Sequence, residues 1–196
     1  MVEAINLAIV VPCYNEQEVL PDASARLAAK RARLIKDGLI SEASRIAFVD
    51  DGSRDSTWPM IEKLHSEHPG VFCGIKLSRN RGHQNALLCG LLTLKDSVDA
   101  AVSIDADLQD DVDVIDDMVR KYTEGCEIVY GVRSDRTSDS FFKRTTAQGF
   151  YRFMKFLGAD VVYNHADFRL MGKRALDALS EYREVNLFLR GIVPML

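Results

Sequence analysis

The stretch Leu7-Ala8-Ile9-Val10-Val11-Pro12-Cys13-Tyr14-Asn15-Glu16 decides the architecture. Leu7 to Val11 is an unbroken apolar run, rich in β-branched side chains and without alternation. A strand covered on both faces reads this way, and parallel sheets in α/β proteins are built from such strands. Pro12 gives the strand a rigid exit. Polar residues follow at once. From about Glu16 to Lys36 the apolar residues Leu20, Ala23, Leu27, Leu34 and Ile35 then fall at helical spacing.

The same unit recurs outward from this point. Ile46–Val49 reads as a second strand, followed by a turn and a helix from about Ser56 to His65. Val71–Leu77 is a third strand, with a helix from about Gly82 to Leu94. Ala100–Ile104 is a fourth, and Ile115, Met118, Val119 and Tyr122 form the inward stripe of the helix after it. Ile128–Val132 is a fifth strand. Four β-α units in succession predict a single α/β domain, a mostly parallel sheet with helices on both faces. Ligands of such sheets bind outside the carboxyl ends of the strands, so the residues just after strands are the ones to inspect. Beyond Val132 the pattern changes. Arg133–Ser140 is polar and aperiodic, which predicts a mobile loop. Phe141–Phe156 is helical, aromatic and basic, and a short strand is predicted through Phe168–Met171. The chain stops in the apolar stretch Gly191–Leu196 with no polar tail, which predicts that the natural protein continues.

Composition narrows the function classes. The 196 residues are 47% hydrophobic and 28% charged, with 25 Lys+Arg against 29 Asp+Glu and a net charge of -4. That suits one globular domain. It excludes a disordered chain and offers no basic excess for general nucleic-acid binding. No apolar run approaches the ~18–20 residues that span a bilayer. Glu3 and Asn6 precede the first apolar run, which argues against a signal peptide and for a cytoplasmic chain. Cys13, Cys73, Cys89 and Cys126 are scattered and read as isolated reduced thiols in or near the core. The net charge averages two opposed regions. Asp99–Asp117 carries eight Asp and no Lys or Arg, whereas Arg133–Lys155 carries six Lys+Arg against Asp135 and Asp139.

Three polar clusters follow three strands. Asp105-Ala106-Asp107-Leu108-Gln109-Asp110 comes after the fourth. Carboxylates at i and i+2 on an extended segment point the same way, and Asp105, Asp107 and Gln109 offer the hard oxygen ligands that suit Mg²⁺ or Mn²⁺. Asp110, Asp111 and Asp113 read instead as a capped, acidic first helical turn. After the second strand comes Asp50-Asp51-Gly52-Ser53. Asp51 suits a nucleobase N–H or a ribose hydroxyl, while Asp50 reads as an Asx turn. After the first strand, Tyr14 offers a flat face for a base and Glu16 a carboxylate for base or ribose, or a charge at a helix N-terminus. His83 and Gln84, at a helix start, read as capping and packing residues.

These residues carry a resemblance. Val-Val-Pro-Cys-Tyr-Asn-Glu, Val-Asp-Asp-Gly-Ser-Arg-Asp-Ser-Thr and Asp-Ala-Asp-Leu-Gln-Asp, in this order and spacing, resemble the family 2 inverting glycosyltransferases. Leu77-Ser78-Arg79-Asn80-Arg81-Gly82-His83-Gln84, Tyr130-Gly131-Val132-Arg133 and Asp167-Phe168-Arg169-Leu170-Met171 bring the chain nearer the polyprenyl-phosphate, dolichol-phosphate-type members. The resemblance spans nearly the whole chain. It implies a GT-A (Rossmann-like) fold, a UDP- or GDP-sugar donor, a divalent Mg²⁺ or Mn²⁺ ion and inversion at the transferred sugar. Matched residue by residue, it implies donor contacts for Pro12, Tyr14, Glu16, Val49, Asp51, Asp105, Ala106 and Arg133. It implies Asp107 as metal ligand with Gln109 beside it, and Asp167 near the acceptor. Family members continue into interfacial and transmembrane helices, so this chain is expected to be a catalytic domain cut short of them, working at the cytoplasmic face of a membrane. Homo-oligomerisation is compatible with all of this.

The chemistry needs a stabilised diphosphate leaving group, and Arg133 would add positive charge there. A hydroxyl acceptor needs a base, with Asp167 the candidate; a lipid phosphate is already an anion near neutral pH (pKa₂ roughly 6), and Asp167 would then only position it. Asp167 can equally form a salt bridge to Arg169. Arg144 and Arg169 are assigned to an acceptor phosphate, and the basic aromatic segment to a lipid phosphate and an anionic membrane surface, or to a helix that packs its aromatics inward. The leading expectation is hexose transfer to polyprenyl phosphate. The alternatives are transfer to a saccharide hydroxyl and a non-catalytic nucleotide-sugar-binding module. A sugar-phosphate nucleotidyltransferase would need a Gly-rich basic loop after the first strand, and Pro12–Glu16 does not provide one.

Overall fold

The structure, a computed structural model, describes residues 4–132, 165–182 and 189–196. Among these, the elements in chain order are β1 (Leu7–Cys13), α1 (Leu20–Lys36), β2 (Arg45–Asp50), α2 (Thr57–Glu67), β3 (Phe72–Lys76) and α3 (His83–Leu94). Then come β4 (Ala100–Ser103), α4 (Val114–Thr123), β5 (Ile128–Val132), β6 (His165–Gly172), α5 (Lys173–Glu181), α6 (Leu189–Ile192) and a 3₁₀ turn, Val193–Met195. Arg133, Arg144, the polar stretch after Val132 and the basic aromatic segment lie outside the described residues.

The apolar run of β1 is buried along its whole length, as its composition predicts. Alternation assigns its side chains to two faces. Leu7, Ile9, Val11 and Cys13 join the core under α1, α2 and α4. Ala8 and Val10 join a second core under α3, α5 and α6. The small side chains on the second face let α3 approach closely. Gly90 in α3 completes the fit, since a Cβ there would lie 2.6 Å from Val10 Cγ1 and 2.7 Å from Val49 Cγ2.

The sheet has six strands in the order β3-β2-β1-β4-β6-β5. β1, β2, β3 and β4 are parallel, as β-α-β crossovers require. β6 departs from the expectation. It is eight residues long rather than four, and it enters between β4 and β5, antiparallel to both. The fifth strand therefore does not pair with the fourth. Because β6 runs backwards, its first half lies at the sheet edge where β1, β2 and β4 end, with Ser103 paired to Arg169.

Two further differences have local causes. α1 starts at Leu20 rather than near Glu16, with Pro21 in its first turn, where a missing N–H costs nothing. Asp113 stands at the start of α4, but its side chain caps nothing there; with Asp116 it turns to Lys30 and Arg33 of α1. Lys30 is nine-tenths and more buried, and its charge is held by that pair of carboxylates. The cysteines are all free; Cys13 is buried, whereas Cys126 is exposed rather than near the core.

Candidate active site

The residues after β1, β2, β3 and β4 and the first half of β6 converge at one edge of the sheet. The loops are fastened to one another before any ligand is considered. Asn15 takes a positive φ of 55°. Its N–H donates to Ser53 Oγ at 2.9 Å, and its side-chain oxygen accepts from Arg54 N–H at 2.9 Å. Glu16 N–H donates to Thr57 Oγ1 at 2.8 Å. Asp50 accepts from Ser53 N–H at 3.2 Å, three residues on rather than the two of the expected Asx turn, and closes the loop after β2.

Asp51 is buried, and each of its oxygens accepts a backbone N–H, from Arg81 at 2.6 Å and from Gly82 at 2.8 Å. It fixes the loop between β3 and α3. Gly52, with φ 71°, is required at the same crossing, because a Cβ there would meet the Arg79 and Asn80 backbone at 2.6–2.7 Å.

Two adjoining clefts result. One, of about 280 Å³, is lined by Tyr14, Asp51, Asn80 and Gly82 among others. The second, of about 310 Å³, is lined by Asp105, Ala106, Asp107 and Asp167. Pro12, Glu16 and His83 line both and form the shared wall. Of the residues singled out in the sequence, Pro12, Tyr14, Glu16, Asp51, Asp105, Ala106, Asp107 and Asp167 are thus brought together. Val49 lies fully buried behind this surface and lines neither cleft. Gln109 is exposed and lines neither cleft; its N–H donates to Asp107 Oδ1 at 3.2 Å and so orients that carboxylate. Asp105 and Asp107 sit in a turn rather than an extended segment, with Leu108 at φ 45°, yet both face the same cleft.

Arg169 corrects the sequence reading. Its side chain is fully buried in β6, and its guanidinium lies 3.4 Å from Asp167 Oδ1. It acts on Asp167 and is not placed to meet an acceptor phosphate directly. Ser103 adds to this hold, its hydroxyl donating to the backbone carbonyls of Asp167 and Arg169. The residue the sequence reading missed is His83. It is not a cap: its Nε2 lies 3.4 Å from Asp105 Oδ1 and 3.5 Å from Asp167 Oδ2. Only its place after a strand and before a helix hinted at this. Gln84, by contrast, does pack, accepting from Leu189 N–H at 3.3 Å.

Among the described residues that line the two clefts, carboxylates outnumber basic side chains. Burial pushes the Glu16 carboxyl above its usual range, and Asp107, Asp55 and Asp105 push the same way. Burial also raises Asp105; His83 opposes the rise, while Asp167, Asp107 and Asp110 add to it. Carboxylates gathered beside one another and partly withdrawn from water favour a cation. Among the described residues no group of three or more His, Cys, Asp and Glu side chains is arranged to hold a metal alone. The donor set fits a hard ion that takes one or two protein oxygens and completes its shell with water and phosphate.

Comparison with known proteins agrees with this geometry. The family model for glycosyl transferase family 2 matches residues 8–180. The chain is 57% identical over 190 residues to an uncharacterized glycosyltransferase of Bacillus subtilis, YkoT, covering 97% of this chain and 56% of that protein. It is 35% identical to a prophage bactoprenol glucosyl transferase homolog of Escherichia coli, covering 96% and 59% respectively. The chain thus spans little more than half the length of these relatives. Among solved structures, the mannosyltransferase PcManGT from Pyrobaculum calidifontis, in complex with GDP-Man and Mn²⁺, superposes with a TM-score of 0.61 at 15% identity, over 96% of this chain and 50% of that one. The sheet and its helices are those of the GT-A fold, and the chain belongs to glycosyl transferase family 2.

Proposed function

We propose that the chain carries the catalytic site of an inverting, metal-dependent hexosyltransferase that uses a UDP- or GDP-sugar and a polyprenyl phosphate. The observation that carries this reading is the pair of clefts with a common wall. One has the flat Tyr14 and the polar Asp51 and Asn80 for a nucleoside, the other a set of carboxylates for a metal-bound diphosphate and the reacting centre. The 35% identity to a bactoprenol glucosyl transferase homolog supports a lipid-phosphate acceptor.

In this reading Tyr14 stacks on the base. Asp51 holds the Arg81–Gly82 backbone against it, and Glu16 meets the ribose. Asp105 and Ala106 border the donor's ribose and phosphates. Asp107, with Gln109, would hold Mg²⁺ or Mn²⁺, which spreads the charge that develops on the leaving diphosphate. An oxygen of the acceptor phosphate attacks the anomeric carbon from the face opposite the diphosphate. The C–O bond to the β-phosphate breaks, and the nucleoside diphosphate leaves with the electron pair. Asp167 orients the acceptor. Arg133 and Arg144 are proposed to add positive charge beside the donor and acceptor phosphates, and the basic aromatic segment to meet the membrane.

Transfer of labelled hexose from UDP-glucose and GDP-mannose to undecaprenyl phosphate, with Mn²⁺ or with chelator, tests this. Lipid-linked sugar formed only with metal is expected, and Asp107→Asn should lower the rate about 10²–10³-fold. Metal-independent transfer, or no binding of either nucleotide with Mn²⁺, rejects the reading.

A further inference from the structure

We infer that His83 is a positioning residue that ties Asp105, on the donor side of the cleft, to Asp167, on the acceptor side. The inference deepens the functional reading above and rests on it for the meaning of the two sides.

Three constraints place the imidazole. Asp51 grips the N–H groups of Arg81 and Gly82, the two residues before it. Gly82 takes φ 89°, and its carbonyl accepts the N–H of Asn85 and of Ala86, which opens α3 at His83. Gly90, a little over one turn further along than Ala86, lets α3 press against Val10 and Val49. Nε2 then falls 3.4 Å from Asp105 Oδ1 and 3.5 Å from Asp167 Oδ2. The two carboxylates come from antiparallel neighbours, one just beyond the end of β4 and one inside β6.

Asp167 is held from the other side by Arg169 at 3.4 Å, and its backbone by Ser103. It is 6% exposed, whereas the side chains of His83 and Asp105 are 43% and 44% exposed to the cleft. A polar contact that open to water adds little stability. Its consequence is geometric. Two carboxylates facing one cavity repel, with Glu16 and Asp107 on the same walls adding to the negative field. An imidazole between Asp105 and Asp167 sets their separation, and with it the separation of the two reacting partners, where misplacement by about 1 Å costs on the order of 10²-fold in rate.

Two measurements test the tie. In ¹⁵N spectra of the histidine side chains, with the His83 signal assigned by its loss in His83→Gln, Asp105→Asn and Asp167→Asn should each shift the His83 Nε2 resonance. A resonance unmoved in both overturns the tie, whether or not the protein transfers sugar. In transfer kinetics with the whole gene product, His83→Ala should lower kcat by about 30-fold or more while the donor KM moves less than about threefold, and His83→Gln, whose amide NH₂ still donates, should recover part of the rate. A kcat for His83→Ala within about threefold of the parent, or a loss expressed in KM alone, overturns the positioning role. A parent protein with no transfer activity rejects the functional reading instead, and the spectra alone then decide the tie.

Discussion

Glu16 shows what a single side chain contributes and what it costs. It stands on the wall common to both clefts, and burial together with Asp107, Asp55 and Asp105 raises its pKa. A carboxyl whose folded pKa lies above its unfolded value binds protons more tightly in the native state. Its ionisation therefore lowers stability as pH rises from the unfolded pKa, ~4.3, to the raised folded value, and the cost is constant above that. Glu16→Gln should accordingly raise the melting temperature at pH 7. The gain should vanish below the ordinary Glu range, and thermal melts of both proteins from pH 4 to 8 measure it. An equal gain at all pH values would locate the effect in packing rather than charge. The same residue scale shows where sequence reading stops. Asp105, Asp107 and Tyr14 announce themselves because polar residues at the ends of buried strands need a reason to be there. His83 does not, since a polar residue at a helix start already has one. Its role appears only when α3 is laid across β1 and β2 and its first residue meets β4 and β6.

At the scale of elements, helix placement sets the site. The β-α alternation was readable from periodicity through β5, because each unit is local. The seat of α3 was less so, because Gly90 at the middle of a helix signals only poor propensity in sequence. In the fold it marks the close approach of α3 to Val10 and Val49. Gly90→Ala places a methyl group within 2.6 Å of Val10 Cγ1, so the gain in helix propensity is outweighed by overpacking. A net loss of about 1–3 kcal/mol is expected in urea denaturation. Since α3 must lift, His83 moves with it, and the transfer rate should fall more than the stability change alone explains. Lys30 makes the corresponding point on the opposite face. Its buried ammonium faces Asp113 and Asp116 of α4, which follows the Asp105–Asp107 turn. Lys30→Ala leaves those carboxylates with Arg33. A loss of about 2 kcal/mol is expected, below the value for a fully buried pair because Asp113 is largely exposed.

At the scale of the molecule, the four parallel strands supply a crevice and the reversed β6 supplies the residue that closes it. No local pattern in Phe168–Met171 states the direction of β6, because antiparallel insertion depends on partners far earlier in the chain, Ala101 to Ser103. The arrangement gathers the carboxylates of Glu16, Asp105, Asp107 and Asp167 with the imidazole of His83 around one cavity. Much of that charge should therefore be settled by ligands, and ligand binding should appear as folding stability. A ligand present at 100 times its Kd adds about 2.7 kcal/mol to the native state. UDP or GDP with Mn²⁺ should raise the melting temperature by several degrees. Either component alone should do much less, since the diphosphate without the ion meets the carboxylates of that cavity and the ion without the nucleotide lacks its phosphate oxygens. Asp107→Asn should abolish the difference between nucleotide with metal and nucleotide without it, while leaving the unliganded melting temperature unchanged or higher. If Mn²⁺ and nucleotide instead stabilise the protein independently and additively, the two do not share a site, and the acidic cleft is not where the donor diphosphate lies.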